Sequence, residues 1–137
     1  MIKQLNVYYD KAQWYLKQID EIFDLINAVR KINPEIPLVC SMSFEKGAAG
    51  FRTMMGTSIK DMIDGLAEYQ FTAIGANCGK GTDEMLGIVK EFRKYTDIPL
   101  LAQANAGLPE TKNGKIVYSE SPEQRGEFAG LLLKEKV

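Results

Sequence analysis

Phe71-Thr72-Ala73-Ile74-Gly75-Ala76-Asn77-Cys78-Gly79-Lys80-Gly81-Thr82 is the stretch whose reading decides the fold. Phe71 to Asn77 is a short, mostly apolar run, closed by a turn at Gly79-Lys80-Gly81. Such a run predicts a strand buried on both faces, as in parallel sheets. Thr82 stands where it can cap a helix, and Asp83 and Glu84 in the first turn complement the positive end of the helix dipole. Met85, Ile88, Val89 and Phe92 then recur at helical spacing on one face.

Further helix and strand signals lie on both sides. Upstream, Asp10-Lys11-Ala12-Gln13 has capping-box form and opens a helix carrying Trp14, Leu16, Ile19, Ile22, Phe23, Ile26 and Val29. Asn33-Pro34 and Pro37 end it. Leu38 to Phe44 reads as another strand buried on both faces. Glu45 to Thr57, with three glycines, reads as a flexible loop before a helix striped by Ile59, Met62, Ile63 and Leu66. Downstream, Ile98 to Ala104 predicts a third strand, followed by the Asn105-Ala106-Gly107-Leu108-Pro109 loop. Asn113-Gly114 marks a turn before the extended Lys115 to Tyr118. Ser121-Pro122-Glu123-Gln124 holds an N-cap, a proline at the first helical position and a glutamine that reaches back. Phe128 to Leu133 supply that helix's apolar side. Helices alternating with strands predict an α/β fold with about three parallel strands and right-handed crossovers. There is no internal repeat or linker, so residues 1–137 read as one domain.

Composition narrows the function. The chain carries 45% hydrophobic and 26% charged residues at a net charge of −1, which suits a globular domain and offers no electrostatic case for nucleic acid or an anionic membrane. No apolar run approaches the roughly 20 residues of a membrane span, and the first residues lack a secretory signal, so a cytoplasmic setting is expected. There are no histidines. Ser–His–Asp and Cys–His systems are therefore out of reach, and a metal site must draw on Cys, Asp, Glu or backbone oxygen. Two cysteines, Cys40 and Cys78, make no disulfide framework.

In parallel α/β folds the site lies on the loops beyond the carboxyl ends of the strands. That rule selects Phe44 and Glu45, then Asn77 and Cys78, then Asn105 to Leu108. Cys78 has the strongest intrinsic chemistry of these. It can be a small buried hydrophobe. It can equally be a functional thiol, because a helix N-terminus and Lys80 beside it favour thiolate, which ligates zinc or attacks an electrophile. Cys40, inside its strand, reads as a core residue. The glycines from Gly47 to Gly56 with Arg52 hint at a phosphate cradle, but the Walker ending is missing and a plain βα-loop explains them better. Met54-Met55 reads as packing, and Asp61, Asp64 and Glu68 as a solvated helix face.

Together the motifs resemble the homocysteine S-methyltransferase family. Gly75-Ala76-Asn77-Cys78 is similar to the family's glycine–x–asparagine–cysteine segment. Gln103-Ala104-Asn105-Ala106-Gly107-Leu108-Pro109 resembles its proline–asparagine–alanine–glycine–leucine–proline loop, with Ala104 where proline is usual. Ser41-Met42-Ser43-Phe44 and Phe51-Arg52-Thr53-Met54-Met55-Gly56-Thr57-Ser58 resemble the preceding strand and loop. The likeness runs from about Pro34 to Glu123 in order, nearest to the homocysteine-binding module of cobalamin-dependent methionine synthases and corrinoid-linked relatives.

The resemblance implies a partial (β/α) TIM-type barrel that activates homocysteine or a related thiol on zinc for methylation. Cys78 would be a zinc ligand, and Asn105, Ala106 and Gly107 would border the amino-acid end of the substrate. No residue is expected to act as a catalytic acid or base. Family members take the methyl group from methylcobalamin, S-methylmethionine or betaine, and methylcobalamin would be carried here on another domain or a corrinoid protein. A full barrel takes about 250 residues, and the family's adjacent pair of zinc cysteines has no counterpart here. The expectation is therefore a fragment or subunit, completed by a complementary chain or another copy. The competing expectation is a catalytically inactive α/β remnant that oligomerises or binds protein through open sheet edges. A third is redox or acyl-transfer chemistry at Cys78.

Overall fold

The computed structural model describes residues 17–137, with side chains from residue 22 onward. The expected helix start at Asp10-Lys11-Ala12-Gln13, with Trp14 and Leu16, lies outside them. The chain divides into two compact units, Met1–Ile36 and Pro37–Val137. In the first, helix α1 spans Lys17–Ile32. It stops where Asn33 turns the chain, its Oδ1 accepting from Glu35 N at 3.0 Å. An asparagine that binds the backbone two residues on offers the chain an alternative to another helical turn.

In the second unit three strands form a parallel sheet in the order β1-β4-β5: β1 Val39–Met42, β4 Ala73–Cys78 and β5 Leu100–Ala104. Between β1 and β4 come an antiparallel hairpin, β2 Glu45–Gly47 with β3 Gly50–Arg52, and helix α2, Ile59–Leu66. Helix α3, Thr82–Phe92, joins β4 to β5. A second hairpin, β6 Pro109–Lys112 with β7 Lys115–Tyr118, precedes helix α4, Pro122–Lys134.

The core follows the helical stripes. Ile59, Met62 and Leu66 of α2 and Met85, Ile88, Val89 and Phe92 of α3 are buried, with Ile74, Ala76 and Leu100 from the sheet. Each large apolar side chain buried this way contributes about 1.5–3 kcal/mol. Helix ends also follow the local signals. Ser58 and Ser121 each complete a capping box, with Asp61 and Gln124 respectively. Asn113 and Gly114 both take positive φ, 52° and 72°, as a two-residue type I′ turn requires.

Several expectations need correction. Leu38 to Phe44 does not form a strand buried on both faces: β1 is an outer strand, and Val39 is 48% exposed. Phe44 is fully buried and meets Phe92 edge-on at 5.7 Å, so it is a core residue and lines no site. Glu45 to Arg52 is a hairpin rather than a loop; Phe51 lies over Gly87, where a Cβ would come within 2.8 Å of its ring. Met54 is 86% exposed and packs against little. In α4 only Phe128 is buried, and Leu133 is 74% exposed. Among the described residues no helix is long and apolar enough to cross a membrane.

Candidate functional site

Gly75 sets the spacing of the central strand. A Cβ there would fall 1.8 Å from the Leu101 carbonyl oxygen, so the close approach of β4 to β5 needs glycine. From Gly75 the strand runs to its carboxyl end, where Asn77 pairs with Gln103 and Cys78 with Ala104 across the ladder. Cys78 is exposed, so the buried-thiol reading does not hold. Its φ is +64°, a left-handed conformation uncommon for a residue with a Cβ, and Gly79 follows at +76°. Non-glycine residues held this way store about 1–3 kcal/mol and cluster at functional sites.

Asn77 forms a polar hub beside the thiol. Its Oδ1 accepts from Ser41 Oγ at 2.9 Å, and its Nδ2 donates to Ser43 Oγ at 3.1 Å and to Cys78 Sγ at 3.0 Å. The hydroxyls come from β1 and the residue just beyond it, so two strand ends converge on one sulfur. The Asn77 amide therefore holds a donor against the sulfur. Cys40 contrasts with it. It lies within β1, and burial pushes its thiol up to about 11, which keeps it protonated at neutral pH.

The loop after β5 closes the other side. Asn105 is exposed next to Cys78; its backbone N donates to Cys78 O at 3.3 Å and its Nδ2 to Gly79 O at 3.0 Å. The asparagine amide thus secures the strained turn. Ala106 is half-buried, and Gly107 is buried with φ +84°. On the hairpin side, Glu84 bridges β2 and the turn after β4, accepting from Lys46 N at 3.2 Å and Lys80 N at 2.9 Å.

Helix α3 starts differently from the expectation. Gly81 occupies the N-cap with no side-chain cap of its own, and Thr82 lies inside the helix. Glu120 takes the capping role from a distant loop, accepting from both Thr82 N and Thr82 Oγ1. Arg125 meets Glu120 at 3.3 Å and also reaches the loop after β5. Neither residue stands at a strand end, so the carboxyl-end rule passes over both. Arg52, the residue behind the phosphate-cradle idea, donates to Gly56 O at 2.8 Å and lies 3.8 Å from Asp61.

Among the described residues there is no group of three or more His, Cys, Asp or Glu side chains able to hold a metal ion. Zinc needs three or four protein ligands. Cys78 supplies a single thiolate, so these residues alone do not fit the ion.

Parallel strands, a glycine-gated central strand and an exposed cysteine at its carboxyl end define an α/β protein with a thiol at the usual site position. The family model for homocysteine S-methyltransferase matches residues 11–137, and the chain belongs to that family.

Proposed function

We propose that this chain provides the thiol-handling face of a homocysteine methyltransferase-type site. The observation that carries the reading is the exposed Cys78 at the end of β4, with the Asn105-Ala106-Gly107 loop hydrogen-bonded to its turn. In this reading Cys78 is one zinc ligand, and Asn105, Ala106 and Gly107 border the amino-acid end of homocysteine or a related thiol. The remaining ligands come from another chain or another copy, because one thiolate makes no zinc shell. The three parallel strands then belong to a (β/α) barrel, and the methyl group arrives from a corrinoid carried on a separate domain or protein. A cytoplasmic setting suits the reduced thiols.

Zinc content of the purified chain tests this, alone and with added corrinoid protein or complementary chain, in wild type and Cys78→Ser. Zinc bound only when Cys78 is present, together with methyl transfer to homocysteine, is the expected result. No zinc under every condition, and methyl transfer indifferent to Cys78→Ser, refutes the reading.

Among the described residues the sheet edges on β1 and β5 are open, which supports a second reading: an inactive module that assembles through strand pairing. Light scattering coupled to size exclusion separates the two. A stable monomer at high concentration counts against the second.

A further inference from the structure

We propose that Glu120 and Arg125 form a clasp that positions the Asn105-Ala106-Gly107 loop against the Cys78-Gly79 turn, and so act as positioning residues for the thiol site. Three successive carbonyls, from the last residue of β5 into the loop, accept from this pair. Ala104 O accepts from Arg125 Nη2 at 3.2 Å, Asn105 O from Arg125 Nη1 at 3.0 Å, and Ala106 O from Glu120 N at 3.3 Å. With its carbonyls held on one side, the loop turns the Asn105 backbone N and Nδ2 to the other, where they meet Cys78 O and Gly79 O. The same Glu120 carboxylate accepts from Thr82 N and Thr82 Oγ1, and its Oε2 receives Arg125 at 3.3 Å. Glu120 therefore ties the start of α3 through its side chain to the loop after β5, which its backbone N and Arg125 hold and whose Asn105 binds Cys78 O.

Space has been left for that carboxylate. A Cβ on Gly81 would come within 2.3 Å of Glu120 Oε1 and 3.4 Å of Gly107 Cα. The Glu120 side chain is only 14% exposed, so its hydrogen bonds are shielded from competing water. Charge-assisted bonds to a helix N-terminus and to a guanidinium are the stronger kind. A generic helix cap would touch α3 alone. Here the contacts converge on the two segments that flank the cysteine.

The positioning role rests on the reading of Asn105-Ala106-Gly107 as the substrate loop, whereas the clasp itself is testable without it. Amide hydrogen exchange on the full chain compares wild type with Glu120→Ala, Glu120→Gln, Arg125→Ala and Arg125→Lys. The two alanine variants are expected to speed exchange at Thr82 and Asn105 roughly tenfold, while Ile74 and Val89 keep their wild-type rates. Glu120→Gln, which keeps an acceptor for Thr82 but loses the charge facing Arg125, is expected to fall between. Unchanged rates at Thr82 and Asn105 overturn the clasp, as does an equal acceleration of every amide. Should an alanine variant fail to fold, Glu120→Gln and Arg125→Lys decide by the same criterion.

Calorimetry with homocysteine on the same proteins reads the positioning role. Affinity about tenfold weaker in the clasp variants, a loss of ~1.4 kcal/mol, supports it. Unchanged affinity overturns it. A wild-type chain that takes up no homocysteine in any assembly refutes the functional reading, while loosened loops in the variants still establish the clasp.

Discussion

Replacing Gly75 with alanine should damage both fold and site, and the size of the effect follows from the ladder. The added Cβ would lie 1.8 Å from Leu101 O, 2.7 Å from Leu101 C and 2.8 Å from Leu101 N. All three are backbone atoms, so no side chain can swing aside. A carbon beside a carbonyl oxygen settles near 3.3 Å, so β4 and β5 must part by about 1.5 Å at this point. That opening breaks the bonds around the Gly75–Leu101 and Ala76–Ala102 pairs. Two ladder bonds at about 0.5–1.5 kcal/mol each, with overpacking of about 1–3 kcal/mol, set against about 0.5–1 kcal/mol regained from lower chain entropy, leave a net loss of about 1–5 kcal/mol. Urea denaturation followed by circular dichroism measures it. Gly65→Ala in α2 and Gly126→Ala and Gly130→Ala in α4 are the controls, since nothing lies within 4 Å of their added methyl. Each should raise stability by about 0.5–1 kcal/mol. A Gly75→Ala protein within about 0.5 kcal/mol of wild type would refute the close-approach argument.

Gly107→Ala should lose about 2–4 kcal/mol, because φ is +84° and the methyl would sit 2.0 Å from Ser119 Oγ; equilibrium unfolding checks it, and a loss below about 1 kcal/mol counts against it. Cys40 gives the alkaline limit a measurable cause. Its thiol moves from 9.0 to about 11 in the fold through burial. The folded state thus holds the proton that the unfolded state releases, and this contribution is present below pH 9 and lost as pH rises towards 11. Wild type should lose on the order of 2 kcal/mol more than Cys40→Ala across that window in parallel urea titrations; equal losses refute it. Iodoacetamide at pH 8 should label Cys78 well before Cys40, since Cys78 is exposed and Cys40 is protonated and partly buried; peptide mass mapping reads the order, and equal labelling refutes it.

Signals carried by neighbouring residues were legible. Ser121-Pro122-Glu123-Gln124 opens α4 through its own hydrogen bonds, Asn113-Gly114 takes the backbone angles of its turn, and the α2 and α3 stripes bury the faces their spacing predicts. The hairpin from Glu45 to Arg52 was not legible. Its strands are three residues each, largely exposed, and carry no alternation to read. Thr82 looked like a cap because the residue type suits one, yet a carboxylate far along the chain does the capping.

The sequence by itself determined where the three parallel strands and the helices fall and put Cys78 at a strand end, because periodicity, caps and turn residues act over a few bonds. Tertiary structure alone decided that Phe44 is core, that Cys78 is exposed at a left-handed φ, that Asn105 binds its turn, and that Glu120 and Arg125 hold the Asn105 loop. Those relations join residues distant in sequence. Their energies depend on distance and solvent shielding, which exist only once the strands have been brought side by side.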